Sequence, residues 1–194
     1  YPNCSTCDPY QIYYPDAMPG FWNNLSIGKV DYPAVDDIDG DGDLDILTFT
    51  SNTTAHVWFV RNMSVESGFG RDSLKFRLED QCWGRFYSGM TCKNWPSCSL
   101  DSCQAAAQEC LVGPPIVEDR GGNDRHAGST VMTYDQDGDG DKEAVLSGIS
   151  FTCLDQLVNG GSPGSAWINA QDDNFPSYDV PVNMAVFPAA FHMD

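Results

Sequence analysis

Asp37-Ile38-Asp39-Gly40-Asp41-Gly42-Asp43-Leu44-Asp45 recurs further along the chain as Asp135-Gln136-Asp137-Gly138-Asp139-Gly140-Asp141-Lys142-Glu143. Six of the nine positions are identical, and the ninth is acidic in both. Each copy follows a strand-like run (Tyr32 to Val35; Thr130 to Tyr134) and precedes another (Ile46 to Phe49; Ala144 to Leu146). Each nonapeptide is therefore expected to be a loop joining two strands. Acids at positions 1, 3, 5 and 9 can converge on one hard cation, with the position 7 carbonyl completing an oxygen shell. Glycines at positions 4 and 6 allow the tight backbone path that a Cβ would penalise. The spacing predicts one Ca²⁺ held by Asp37, Asp39, Asp41, Asp43 and Asp45. It predicts a second held by Asp135, Asp137, Asp139, Asp141 and Glu143. An EF-hand is ruled out because position 12 is Thr48 in one copy and Leu146 in the other, where a bidentate Glu is required.

Outward from the loops, short β-like runs alternate with Gly, Asn, Asp and Pro clusters: Asp45 to Thr50, Ala55 to Val60, Leu74 to Leu78, Ser129 to Tyr134 and Ala144 to Ile149. The 18 Gly and 12 Pro supply the turns such a chain needs. One helical candidate stands out, Ser102 to Leu111 around three successive alanines. The predicted class is all-β.

Eight cysteines, an even number, point to disulfides and an oxidising compartment. Five of them, Cys82, Cys92, Cys98, Cys103 and Cys110, fall in one stretch without a zinc-knuckle spacing, and Cys153 supplies an even partner. Cys4 and Cys7 form a CxxC bracketed by Pro2 and Pro9, which fits a small local disulfide better than a redox helix. The stretch 79–121 reads as a disulfide-stapled insertion with little apolar core of its own.

The loop followed by an Ile-Leu or Val-Leu strand, and then by Trp58-Phe59-Val60-Arg61-Asn62, resembles the FG-GAP/VCBS repeats of integrin-type β-propellers. Arg125-His126-Ala127-Gly128-Ser129-Thr130, Asn174-Phe175-Pro176 and Phe187-Pro188-Ala189-Ala190 resemble FG-GAP surface proteins of gliding gram-negative bacteria, which are typically exported by type IX secretion. The resemblance implies propeller-like blades divided as an N-terminal segment 1–27, a first repeat 28–78, the insertion 79–121, and a second repeat with the start of a third at 122–194. Asp135 to Asp194 spans 59 residues, and Asp37 to Asp135 spans 98, an excess of 39 that the insertion absorbs. Removing 39 from 194 leaves 155 residues, or about 2.6 units of 59, whereas propellers close with roughly 4 to 8 blades. Strand edges are therefore expected to remain open, with the run through Val186, Phe187 and Phe191 and a truncated loop at Asp194 covered by a neighbouring copy or by further repeats.

Charge and composition exclude several classes. At 41% hydrophobic and 12% aromatic the chain is globular in composition. A net charge of −18 repels phosphate backbones, so nucleic acid is not an expected partner. No apolar run reaches membrane-spanning length, and Tyr1 reads as the start of a processed chain. Gly160-Gly161-Ser162-Pro163-Gly164 satisfies the GxSxG pattern, but its composition is that of a turn. His56, His126 and His192 are isolated, and no acid pair is singled out for glycoside hydrolysis. Sequons at Asn3, Asn24, Asn52 and Asn62, and the Asp72-Ser73-Leu74 run that resembles a bacterial O-glycosylation site, suggest surface sugar. The expected function is that of a non-enzymatic, calcium-binding, secreted or cell-surface structural or adhesive protein of the filament or fibre kind. Its expected partners are copies of itself, neighbouring repeats or cell-surface glycans. The alternative is a carbohydrate-binding module of a larger secreted enzyme.

Overall fold

The computed structural model describes residues 12–15, 21–25, 27–28, 30–49, 56–71, 73–86, 128–149, 151–185 and 187–192. Among these the chain is all-β, with ten strands, a single 3-10 turn at Trp83–Arg85 and no α-helix. The helix expected over Ser102 to Leu111, most of the stretch 79–121, His126 and the cysteines other than Cys82 and Cys153 lie outside the described residues.

Two four-stranded antiparallel meanders carry the fold. The first runs in chain order through β3 (Ala34–Asp36), β4 (Asp45–Phe49), β5 (Val57–Asn62) and β6 (Phe76–Asp80). The second runs through β7 (Ser129–Tyr134), β8 (Glu143–Gly148), β9 (Leu154–Asn159) and β10 (Ile168–Phe175). A separate hairpin pairs β1 (Tyr13–Pro15) with β2 (Trp22–Asn24). Among the described residues neither meander closes into a barrel. No helix among the described residues is long and apolar enough to cross a membrane.

The second strand of each meander is its most buried. Every residue of β4 and of β8 is buried, so these strands read as continuous runs rather than alternating ones. In β4, Leu47 and Phe49 face a core shared by both meanders, together with Val57, Phe59, Val131, Ala144, Leu146, Leu157 and Ile168. Ile46 faces the other way, into a second cluster with Val60, Phe76, Tyr14 and Leu25, so the β1–β2 hairpin covers the outer face of the first meander. Trp83 and Phe86, just past β6, fill the shared core. Burying such an aromatic contributes roughly 2–3 kcal/mol. Gly84 between them has φ +72°, and a Cβ there would meet Ile168 Cγ1 at 2.7 Å, so only glycine fits.

The meanders are joined along β3 and β7. Asp31 Oδ1 accepts hydrogen bonds from Gly128 N and Ser129 N, each at 2.8 Å. Tyr32 bridges Thr130 in parallel fashion: its N–H donates to Ser129 O, and its carbonyl accepts from Val131 N. Thr133 Oγ1 donates to Asp36 Oδ2 at 2.9 Å, and Lys142 Nζ reaches the same oxygen at 3.2 Å.

Several elements differ from expectation. The strand expected from Ala55 to Val60 is shifted to Val57–Asn62, and that expected from Leu74 to Leu78 to Phe76–Asp80, with Leu74 exposed outside it. β6 thus runs past residue 78, where the first repeat was expected to end. β9 and β10 were not anticipated: Leu154-Asp155-Gln156-Leu157 has no period-2 alternation, and β10 carries Asp172 and Asp173 at half-buried positions. Phe187 and Phe191, expected at an open edge, fold back on the seam with their rings 5.7 and 6.3 Å from that of Tyr32. Val186 and Asp194 lie outside the described residues.

Candidate metal centre

The two acidic nonapeptides connect β3 to β4 and β7 to β8, as the sequence predicts. Their backbones match turn for turn. Gly40 and Gly42 have φ +79° and +93°, and Gly138 and Gly140 have +80° and +92°. This left-handed region is where glycine alone is unstrained. In both loops the position 5 amide donates to the position 3 carboxylate, Asp41 N to Asp39 Oδ1 and Asp139 N to Asp137 Oδ1, each at 3.2 Å. The position 7 amide likewise donates to position 5, Asp43 N to Asp41 at 2.9 Å and Asp141 N to Asp139 at 3.0 Å. Position 9 ties the start of the loop to its end: Asp45 Oδ2 accepts from Ile38 N, and Glu143 Oε2 from Gln136 N. These bonds use one oxygen each of Asp39, Asp41, Asp137, Asp139 and Glu143, whereas Asp135 accepts Gly138 N with Oδ1 at 2.7 Å and Gly140 N with Oδ2 at 3.1 Å.

What the spare oxygens face is the deciding observation. Asp43, Asp141 and Glu143 are each 1% exposed, yet Asp43 Oδ1, both Asp141 oxygens and Glu143 Oε1 are buried with no hydrogen-bond donor. Asp37 Oδ1 is in the same position. Buried carboxylate oxygens without donors cost several kcal/mol unless a cation meets them. Carboxylate oxygens of Asp37, Asp39 and Asp41 lie within 4.8 Å of one another, as do those of Asp135, Asp137 and Glu143. An all-oxygen cluster of this size suits a hard divalent ion with oxygen ligands at about 2.3–2.6 Å, the Ca²⁺ range.

Not every expected ligand joins those triads. Asp45 gives both oxygens to backbone amides, Oδ1 to Asn62 N at 2.7 Å and Oδ2 to Ile38 N at 3.1 Å, and so anchors the loop to β5. Asp139 accepts from Asp141 N and lies on the exposed side. Asp141 is buried beside Asp139 and Glu143 without belonging to the Asp135–Asp137–Glu143 group. Asp43 turns one oxygen to Val65 N at 3.1 Å and forms a further cluster with Asp41 and Glu66. Glu66, in the turn after β5, escaped the sequence reading because its approach depends on how that turn folds back on the loop. The same holds for Arg61 in β5, which contacts Asp39 and Glu66 directly and lies 3.8 Å from Asp41.

The electrostatics agree with a nest of carboxylates awaiting a counter-ion. Burial pushes Asp45 up to about 7, against the opposing pull of its two amide donors. Burial, with the charges of Asp139 and Glu143, pushes Asp141 up to about 6. Asp39, Asp43 and Glu143 are raised from the usual carboxylate range, burial being the main cause in each. A divalent cation at the spare oxygens would reverse these shifts.

No protein-family model, curated protein or solved structure matches the chain. The assignment of the loops rests on their matched geometry.

The other motifs fall into structural settings. Gly160 to Gly164 lies in the β9–β10 connection, where Ser162 and Ser165 exchange backbone hydrogen bonds and no helix follows. His56 is buried with Nδ1 3.1 Å from Phe86 O, and His192 lies against Tyr134. Asn62 cannot serve as a surface glycosylation acceptor in the folded chain. It is fully buried, its amide donates to Ser73 O at 3.0 Å, and its Oδ1 accepts from Ser64 Oγ and Lys75 N. Asn24 is exposed on β2, while Asn3, Asn52 and Asp72 lie outside the described residues.

Proposed function

We propose that each nonapeptide loop holds one Ca²⁺ and that the protein is a non-enzymatic extracellular structural or adhesive protein whose repeats the ions rigidify. The observation that carries the metal reading is the set of buried carboxylate oxygens without donors, at loop positions whose glycine dihedrals agree between copies to within a few degrees. Asp37, Asp39 and Asp41 would hold the first ion, and Asp135, Asp137 and Glu143 the second, with Asp43, Asp45, Asp139 and Asp141 adding negative charge around them. Ca²⁺ would supply no reaction step. Its role is to neutralise like charges that otherwise oppose closing the β3–β4 and β7–β8 connections.

A structural rather than catalytic role is supported by the architecture around the loops. Lys142 of the second loop pairs with Asp36, the residue before the first loop, so the two centres brace the same seam. Among the described residues no further strand pairs with β6 or β10, which leaves backbone groups there for pairing with another copy or another repeat. Pairing of that kind, if it repeats head to tail, builds a fibre.

Calcium titration with matched melting curves tests the metal reading. Two ions per chain and a melting temperature that rises with calcium and falls with chelator are expected. A melting curve unmoved by chelator would overturn the structural role of the loops. Electron microscopy and sedimentation of the purified protein test the assembly reading, which requires oligomers or filaments; a monomer at every concentration and calcium level would sink it.

A further inference from the structure

The two loops share a backbone and differ in what faces them across the sheet. Ile46 pairs with Val60 in the first meander, so the next rung sets Asp45 opposite Arg61. Ala144 pairs with Leu157 in the second, so the equivalent rung sets Glu143 opposite Val158. The following residue is asparagine in both, and in the first meander Asn62 N donates to Asp45 Oδ1 at 2.7 Å. Arg61 and Val158 are therefore structural counterparts, one cationic and one apolar.

Arg61 reaches into the first loop. Its Nε contacts Asp39 Oδ2, and Asp39 has only 4% of its side chain exposed, so the guanidinium sits among the ligands and not on the rim. A second nitrogen contacts Glu66 from the outer side and lies 3.8 Å from Asp41 Oδ2. Among the described residues, no Lys, Arg or His forms an ion pair with Asp135, Asp137, Asp139, Asp141 or Glu143. Among the described residues, the first loop carries its own counter-ion and the second has none.

Resting on the calcium reading above, we infer that Arg61 makes the first loop the weaker, later-filling calcium site, because Ca²⁺ and the guanidinium compete for the Asp39 and Asp41 oxygens. A unit positive charge and a divalent ion within about 5 Å repel strongly even at the effective dielectric of a protein surface. Calcium can enter the first loop only as Arg61 withdraws towards Glu66. The second loop, without that competitor, fills first. Arg61 offsets part of the first loop's charge in the absence of calcium, with Asp37 Oδ1 and Asp43 Oδ1 still unmet, so the β7–β8 connection is the more calcium-sensitive part of the fold. Glu66 is the residue that makes withdrawal feasible, since it receives the guanidinium outside the ligand set.

The test is a calorimetric calcium titration of the full chain and four variants. The unmodified protein should bind in two steps at least roughly tenfold apart in Kd. Asp137→Asn should delete the tighter step, and Asp39→Asn the weaker. Arg61→Val should move the weaker step close to the tighter one. A gain in affinity is a result that structural damage does not produce. Val158→Arg should do the reverse and weaken the tighter step. Two steps that coincide in the unmodified protein, or a weaker step that Arg61→Val leaves in place, would overturn the competition while leaving the calcium reading intact. No calcium binding by any form of the protein would overturn both.

Discussion

Glu143→Gln should change the sign of its effect on stability when calcium is added. Glu143 is 1% exposed, its Oε2 accepts from Gln136 N at 2.7 Å, and its Oε1 is buried without a donor. That oxygen lies within 4.8 Å of carboxylate oxygens of Asp135 and Asp137. In the metal-free protein each such ionised pair repels by about 3.5 kcal/mol at an effective dielectric near 20, taken at 4.8 Å. Solvent screening at the exposed Asp135 and Asp137 reduces this to roughly 1–2 kcal/mol. A glutamine of the same shape keeps the bond from Gln136 through its carbonyl and presents an NH₂ to the two aspartates. The variant should therefore be about 1–2 kcal/mol more stable than the native protein in chelator. In calcium at about a hundred times the Kd of the second site, the native protein gains about 2.7 kcal/mol from that site. The variant forfeits that gain, because a donor now occupies the place of the ligand. Urea denaturation in chelator and in saturating calcium reads both numbers. Equal losses under the two conditions, or an equal calcium-induced gain in native and variant proteins, would refute the view that Glu143 is a cation ligand held at a cost in the free protein.

Asp45, pushed up to about 7 in the fold from an ordinary 3.8, binds its proton more tightly folded than unfolded. Stability of the chelated protein should thus fall as pH rises from about 4 to about 7, an inverse slope that saturating calcium removes and that melting curves across pH will read. Gly84→Ala should destabilise by about 2 kcal/mol or more in urea titration, since it combines a left-handed φ of +72° with a Cβ 2.7 Å from Ile168 Cγ1. Gly140→Ala, at φ +92° with open space around its Cβ, should cost only the backbone strain of about 1–2 kcal/mol. No described cysteine is free, and mass spectrometry of the unreduced protein should find all eight oxidised; several free thiols would contradict an extracellular setting.

The recurrence of the nonapeptide made the loops, the strands on either side of them and the all-β class legible, because each depends on local spacing. Gly40 and Gly42, read as positions that fold back on the ion, take the left-handed dihedrals that reading requires. What the sequence hides is set by register and long-range closure. Arg61 and Asp39 are far apart along the chain and meet only because β5 pairs with β4 in one register and not another. Glu66 reaches the loop through the turn that Ser64 and Phe69 close by a backbone hydrogen bond, a contact no periodicity announces. β9 was missed because Asp155 and Gln156 are buried polar residues in a strand covered on both faces, which erases the alternation that marks a half-exposed strand.

The same comparison explains why two copies of one motif need not be equivalent. A calcium loop specifies which oxygens converge, but their affinity depends on every charge nearby, and those charges come from elements the motif does not encode. Position 9 shows this directly. Asp45 accepts an amide at each oxygen and lies outside the Asp37–Asp39–Asp41 group, whereas the longer Glu143 bonds Gln136 with Oε2, keeps Oε1 buried and unmet, and belongs to the group of Asp135 and Asp137. One extra methylene thus separates an anchoring role from a ligating role at the same site of the same loop. Asp45→Glu should test that step alone: if the longer side chain frees an oxygen in the first loop as it does in the second, calcium affinity there should rise even with Arg61 in place. A fall in affinity, with β4–β5 stability unchanged, would show that the Asn62 and Ile38 bonds contribute more to holding the ion than the oxygen they consume.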